Sequence, residues 1–118
     1  MKDYDIIVVG AGAAGAFLAY ELTKLDTEKK VLIIDGGRKV ENRSCPITDG
    51  KVDHCIGCKP CNIMYGFGGA GTLSDGKYNI TTNFGGDLHR YVGEKKAMEL
   101  MEYVDSVLMD FDGGDDLE

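Results

Sequence analysis

Apolar runs and the polar residues between them divide this chain into segments of different predicted structure. Residues 6–9 are four consecutive β-branched residues, typical of a strand, and residues 31–34 form a second short apolar run with the composition of a buried parallel strand. Residues 13–25 between them have the composition of a helix, and the polar stretch 26–30 turns the chain back. The pattern predicts strand, helix and parallel strand, which is an α/β class.

The rest of the chain splits into an irregular part and a regular one. Residues 39–62 show neither helical nor alternating periodicity, and a loop this long in a compact domain is usually functional or disordered. From Gly93 onward, apolar residues recur at spacings of three and four with charged residues between them. This spacing predicts an amphipathic helix of about 16 residues with a core-facing stripe. The stripe comprises Ala97, Leu100, Met101, Val104, Val107, Leu108 and Phe111.

A Gly-Ala-Gly-Ala-Ala-Gly turn joins the first strand to the helix. Gly10 permits a tight turn out of the strand, Gly12 lets the main chain approach a pyrophosphate, and Gly15 permits close packing of helix on sheet. The helix directs its free N–H groups and positive dipole end at the same point, which suits a diphosphate. This context predicts a Rossmann-like dinucleotide-binding unit.

An acid stands where such a unit would bind a ribose. Asp35 ends the second strand about 20 residues after Gly15, so its carboxylate is placed to accept ribose hydroxyl hydrogen bonds and to disfavour a 2′-phosphate. FAD or NAD is therefore favoured over NADP. The predicted contacts of this half of the site are Gly10, Gly12, Ala13, Ala14, Gly15, Asp35, Gly36 and Arg38.

A second glycine-rich segment covers residues 65–77 and is dense in small hydroxyl side chains and main-chain donors. It predicts a second wall of the cofactor site. The residues expected there are Gly68, Gly69, Ala70, Gly71, Thr72 and Ser74.

Length and charge limit the classes of function. The 118 residues suffice for one compact domain, so we expect a single domain over residues 1–118. The net charge of −7 argues against a nucleic-acid partner, which would require clustered Lys and Arg. The N-terminus contains neither a signal-peptide core nor a membrane-spanning run, so we expect a cytoplasmic protein with no membrane partner and with reduced thiols.

Four cysteines occupy the irregular segment. Cys55, Cys58 and Cys61 form a C-x2-C-x2-C run, and Cys45 supplies a fourth thiolate. The triplet has the spacing that opens bacterial ferredoxin runs, which favours an iron–sulfur cluster such as [4Fe–4S]. Zinc fits less well because the two C-x2-C pairs share Cys58, although His54 can replace Cys45 in a Cys3His site. Thiols that bind no metal, or that undergo dithiol chemistry, remain a further alternative.

Several of these motifs together resemble the N-terminal part of a family of bacterial FAD-dependent dehydrogenases, relatives of the glutathione-reductase-type flavoproteins. The resemblance lies in the Gly10–Gly15 turn, the Ile34-Asp35 strand end, Cys61-Asn62-Ile63-Met64 and the stretch from Gly68 to Lys77. It implies an FAD whose pyrophosphate lies on the first helix and whose flavin end lies near the second glycine-rich segment. This chain departs from the family pattern at Asp35, where such families often have Glu.

Family members extend well beyond the length of this chain. The resemblance therefore implies an incomplete FAD-binding domain of an oxidoreductase, unable to turn over a substrate alone, and either a missing C-terminal portion or a homo-oligomer. A different class of function is a non-catalytic metal-binding or electron-transfer module built on the four cysteines.

Overall fold

The computed structural model of the protein describes residues 3–25, 28–83 and 85–111. The chain forms two compact units, Met1–Ser74 and Asp75–Glu118. Residues 26 and 27 of the predicted polar turn lie outside the described residues. The expectation of one domain over the whole chain stays a prediction.

The first unit contains the predicted strand, helix and strand with the expected bounds. Strand β1 spans Ile6–Val9, helix α1 spans Ala13–Leu25 and strand β2 spans Val31–Ile34. The strands pair in parallel, in a register that runs from Ile6 opposite Val31 to Val9 opposite Ile34. The α/β class is thus confirmed, and the arrangement is compatible with part of a Rossmann-like unit.

Helix α1 packs on one face of this small sheet. Val8 is buried, and a Cβ built on Gly15 would lie 3.4 Å from the Cγ1 atom of Val8. Ala19, one turn further along the helix, is buried as well. Successive strand residues face opposite sides of a sheet, so the neighbours of Val8 face away from α1. Ile7 and Val9 are accordingly 58% and 81% exposed.

The expectation that β2 is a buried strand is wrong for its last residue and only partly right for the others. Ile34 is 44% exposed, and Val31, Leu32 and Ile33 are intermediate. A parallel strand is buried on both faces only when helices cover both faces of its sheet. In the part of the chain that the structure describes, the sheet has two strands, and the face that carries Val9 and Ile34 is exposed.

The second unit contains two helices separated by a glycine. Helix α2 spans Leu88–Val92 and helix α3 spans Glu94–Asp110, so the amphipathic helix forms as predicted and α2 is an addition. Gly93 between them has a φ of +81°, which favours glycine and ends α2 sharply.

The apolar stripe of α3 is only partly covered. Ala97 and Val107 are buried, whereas Leu100 is 37% and Leu108 40% exposed. Beside this helix, burial raises the pKa of Tyr78, and the negative charge of Asp105 adds to the rise. Among the helices in the described residues, none is both long enough and apolar enough to cross a membrane.

Candidate functional site

In the first glycine turn, Gly15 and Gly12 lack a side chain for different reasons. A Cβ on Gly15 would collide with the main-chain carbonyl of Gly10, so only glycine permits this approach of α1 to the end of β1. A Cβ on Gly12 would meet no protein atom within 4 Å. Gly12 therefore lies beside open space at the beginning of α1.

The end of α1 at this opening is suited to an anion. The first N–H groups of a helix have no partner within the helix, and they carry its positive dipole end. The first turn of α1 contains no acidic side chain, and its first residues, Ala13 and Ala14, are small and exposed. Main-chain donors at this point are thus accessible and not opposed by a nearby carboxylate on the same turn.

Asp35 connects three segments of the main chain. Its Oδ2 atom accepts a hydrogen bond from the Ala11 N–H at 2.8 Å, and its Oδ1 atom accepts from the N–H groups of Gly37 and Gly66, each at 2.8 Å. These bonds, the one from Ala11 first, hold the pKa of Asp35 below its ordinary value, and the charge of Arg43 lowers it further. Asp35 is therefore an anion that fastens both glycine-rich segments to the end of β2.

The second glycine-rich segment lies directly against the first turn. The Gly68 N–H donates to the Ala11 carbonyl at 2.8 Å, and a Cβ on Gly69 would lie 3.4 Å from the Cα atom of Gly12. Gly66 is buried with a φ of +111°. The structure thus brings Gly68 and Gly69 against Ala11 and Gly12, although the two pairs are far apart in sequence.

The remaining predicted contacts lie around this centre. Gly36 and Arg38 are exposed and follow Asp35, while Ala70 and Gly71 are exposed within a 3-10 helix over Gly69–Leu73. Thr72 uses its hydroxyl to donate to the Phe67 carbonyl at 2.6 Å. Ser74 is exposed at the end of the same helix.

Sequence reasoning missed Arg43. This arginine is only 7% exposed, and its guanidinium donates four hydrogen bonds to main-chain carbonyls. It lies in an aperiodic polar stretch, and nothing in the sequence there distinguishes it from a surface arginine. The one available signal is general: a buried irregular loop has carbonyl groups that need donors. The four acceptors are the carbonyls of Asn62, Ile63, Phe67 and Gly69.

The four cysteines line one small cavity, whose other walls are mainly apolar. Cys55 is exposed, and Cys45, Cys58 and Cys61 are half-buried. Within residues 3–25, 28–83 and 85–111, however, no three His, Cys, Asp or Glu side chains have an arrangement that could hold a metal ion. The predicted metal centre stays a prediction: the thiols share a cavity, and in this structure they are not arranged as metal ligands. The other lining residues are Pro46, Ile47, Val52, Ile56, Asn62 and Ile63.

A known family model matches this chain. The family described as lycopene cyclase protein matches residues 5–64, just over half of the chain. The chain belongs to this family. No curated protein and no solved structure matches it.

The lycopene cyclase protein family is a flavoprotein family of the FAD-binding type, which agrees with the resemblance found in the sequence at that coarser level. The match covers the first glycine turn, Asp35 and all four cysteines. It ends at Met64, before the second glycine-rich segment. That segment is joined to the matched part by the contacts of Gly66, Gly68 and Gly69.

Proposed function

We propose that the unit Met1–Ser74 binds FAD and serves a flavin-dependent oxidoreductase of the dehydrogenase type. The observation that carries the proposal is the open space at Gly12, next to the beginning of α1 and walled by Gly69. A Cβ would fill this space, and a diphosphate needs just such an approach to the main chain. The FAD-binding type of the matched family supports the assignment. FAD, when bound, supplies hydride transfer.

The main chain at the start of α1 binds the diphosphate. The N–H groups that the helix leaves unpaired near Gly12, Ala13 and Ala14 donate to phosphate oxygens, and the helix dipole favours the negative charge. The absence of an acidic side chain from the first turn of α1 removes a repulsive interaction. No lysine is required for this mode of binding.

Asp35 holds the ribose through its Oδ2 atom. A carboxylate oxygen has two acceptor positions, and Oδ2 receives one hydrogen bond, from Ala11, among the described contacts. A ribose hydroxyl can donate to the second position. Gly36 and Arg38 follow Asp35 at the surface and line the adenosine side of the site.

The second glycine-rich segment forms the opposite wall. Gly68 and Gly69 already contact the first turn, and the stretch that follows leads toward the flavin end, as the resemblance implies. The residues that line this end are Ala70, Gly71, Thr72 and Ser74.

The test is a valine at Gly12. Because a Cβ there meets no protein atom within 4 Å, Gly12→Val should fold like the parent, yet its side chain occupies the space assigned to the diphosphate. We expect the affinity for FAD and for ADP to fall at least about a hundredfold, equivalent to about 2.7 kcal/mol. Calorimetric titration measures the affinity, and thermal unfolding verifies the fold.

Thr23→Val provides the matched control. Thr23 is exposed on α1, eleven residues from Gly12, and valine is similar to threonine in shape. This variant should bind FAD and ADP like the parent. If Gly12→Val binds both ligands as tightly as the control does, the diphosphate does not lie at Gly12.

The cavity that the four cysteines share favours a second function, metal binding or electron transfer. The four residues are Cys45, Cys55, Cys58 and Cys61. We propose that this loop closes around an iron–sulfur cluster, with zinc as the alternative metal. Three of these thiols are half-buried among apolar side chains, an environment that shields a cluster from water. Assays for iron, sulfide and zinc on protein purified without oxygen decide between them. Protein that contains none of the three contradicts both assignments.

A further inference from the structure

Arg43 is a buried arginine whose hydrogen-bonding partners are main-chain carbonyls. Its Nε atom donates to Asn62 at 2.7 Å and its Nη1 atom to Phe67 at 3.0 Å, while Nη2 donates to Ile63 at 2.6 Å and to Gly69 at 2.7 Å. In the part of the chain that the structure describes, it makes no ion pair. A charged group buried in this way is unfavourable unless its hydrogen bonds are essentially complete.

These acceptors lie on the same segment whose N–H groups contact the first glycine turn. The Gly66 N–H donates to Asp35, and the Gly68 N–H donates to the Ala11 carbonyl. Arg43 therefore holds the segment by its carbonyl groups, while the strand end and the first turn hold it by its N–H groups. Gly69 takes part on both sides, since its carbonyl accepts from Arg43 and its Cα position adjoins Gly12.

We propose that Arg43 is a positioning residue for the dinucleotide site: it fixes residues 62–69 against the first glycine turn and thereby sets the width of the space beside Gly12 in which a dinucleotide diphosphate binds. This inference rests on the proposed function. Arg43 does not contact the ligand and acts through the main chain of Gly66, Gly68 and Gly69.

Lysine cannot replace Arg43 in this role. The guanidinium presents donors in a planar fork, and here the fork reaches carbonyls at both ends of an eight-residue segment. An ammonium group has three donors on a single nitrogen and cannot reach all four carbonyls, which here surround three separate guanidinium nitrogens. Charge alone, which lysine keeps, would not hold the segment in place. The lysine variant therefore separates positioning from simple electrostatics.

The experiment compares Arg43→Lys and Arg43→Met with the parent and with Arg90→Met in the full chain. Arg90 is an exposed arginine of α2, so its loss controls for the removal of one positive charge. Amide hydrogen exchange is followed by NMR at Gly66 and Gly68 and in the β1–β2 pair, and ADP affinity is measured by calorimetry. We expect at least about tenfold faster exchange at the two glycines and at least about fivefold weaker ADP binding in both Arg43 variants.

The expected pattern has two further parts. Exchange in β1 and β2 should stay at the parent rate, and addition of ADP to the parent should slow exchange at Gly66 and Gly68, since binding and loop order are linked. Faster exchange throughout the sheet in the Arg43 variants would show that Arg43 stabilises the whole unit, and it would overturn the positioning role. So would unchanged ADP affinity in a lysine variant whose glycine amides exchange faster.

Failure of the proposed function gives a different result. A parent chain that binds neither FAD nor ADP overturns the dinucleotide assignment, and the inference falls with it. A parent that binds ADP, with Arg43 variants that bind equally well, overturns the role of Arg43 alone.

Discussion

Asp35 Oδ2 accepts a hydrogen bond from the main-chain N–H of Ala11 at 2.8 Å, although the two residues are 24 positions apart. The bond ties the end of β2 to the turn after β1, and the other oxygen of the same carboxylate ties in Gly66. The acid at this strand end therefore has a structural task in addition to the ribose contact that the sequence predicts. Its charge should matter for stability even without a ligand.

Asp35→Asn should lower the free energy of unfolding at neutral pH. The carboxamide has one acceptor oxygen and places an NH2 donor opposite a main-chain donor, so at least one of the three hydrogen bonds is lost. The pKa of Asp35 is lower in the folded protein than its ordinary value of 3.8. Its ionised form thus stabilises the fold above pH 4, and this contribution is lost as the pH falls through the lowered folded value.

Urea unfolding at pH 7 and near pH 3 checks this prediction. The difference in the free energy of unfolding between the parent and Asp35→Asn should be larger at pH 7 than near pH 3. Asp49→Asn is the matched control, since hydrogen bonding to Lys51 also lowers the pKa of Asp49, which lies outside the proposed site. It should show a similar trend with pH and parent-like ADP affinity. A difference that stays constant with pH would mean that the charge of Asp35 contributes nothing.

Asp35 should also discriminate between nucleotides. A 2′-phosphate placed at the carboxylate repels it, and a free hydroxyl donates to it, so ADP should bind at least about tenfold more tightly than 2′-phospho-ADP. Asp35→Asn should reduce this ratio, and calorimetric titration with both nucleotides measures it. The ratio compares two nucleotides on the same variant, so it stays informative even if the loss of the loop contacts weakens the affinity for both. Equal affinities in the parent would remove Asp35 from the ribose contact.

How far the sequence predicts this molecule depends on whether the interactions are local. The helices and strands of the first unit follow from short-range periodicity and from glycines with a local steric purpose, so β1, α1 and β2 have the predicted bounds. The long-range contacts are different in kind. Nothing near Arg43 or Gly66 in the sequence shows that one will donate to carbonyls around the other. The partial exposure of Ile34 likewise depends on which elements cover the sheet.

Gly15→Ala should destabilise the first unit, whereas Gly12→Ala should not. The added Cβ at position 15 collides with the Gly10 carbonyl, which belongs to the main chain and can move little. Overpacking of this kind costs about 1–3 kcal/mol. At Gly12 the same methyl group meets open space, and we expect a change within about 1 kcal/mol. Thermal unfolding monitored by circular dichroism measures both, and equal stability of the two variants would contradict the close packing of α1 on β1.

Alkylation of the cysteines should report both their burial and any bound metal. In metal-free protein, exposed Cys55 should react with iodoacetamide several-fold faster than the half-buried Cys45, Cys58 and Cys61. A cluster or a zinc ion uses thiolates as ligands, so protein that contains metal should protect all the liganded thiols until a chelator removes the metal. Peptide mass spectrometry gives the rate for each cysteine, and alkylation in urea provides the fully accessible reference. Metal-containing protein whose four cysteines react at the metal-free rates would show that its metal is bound elsewhere.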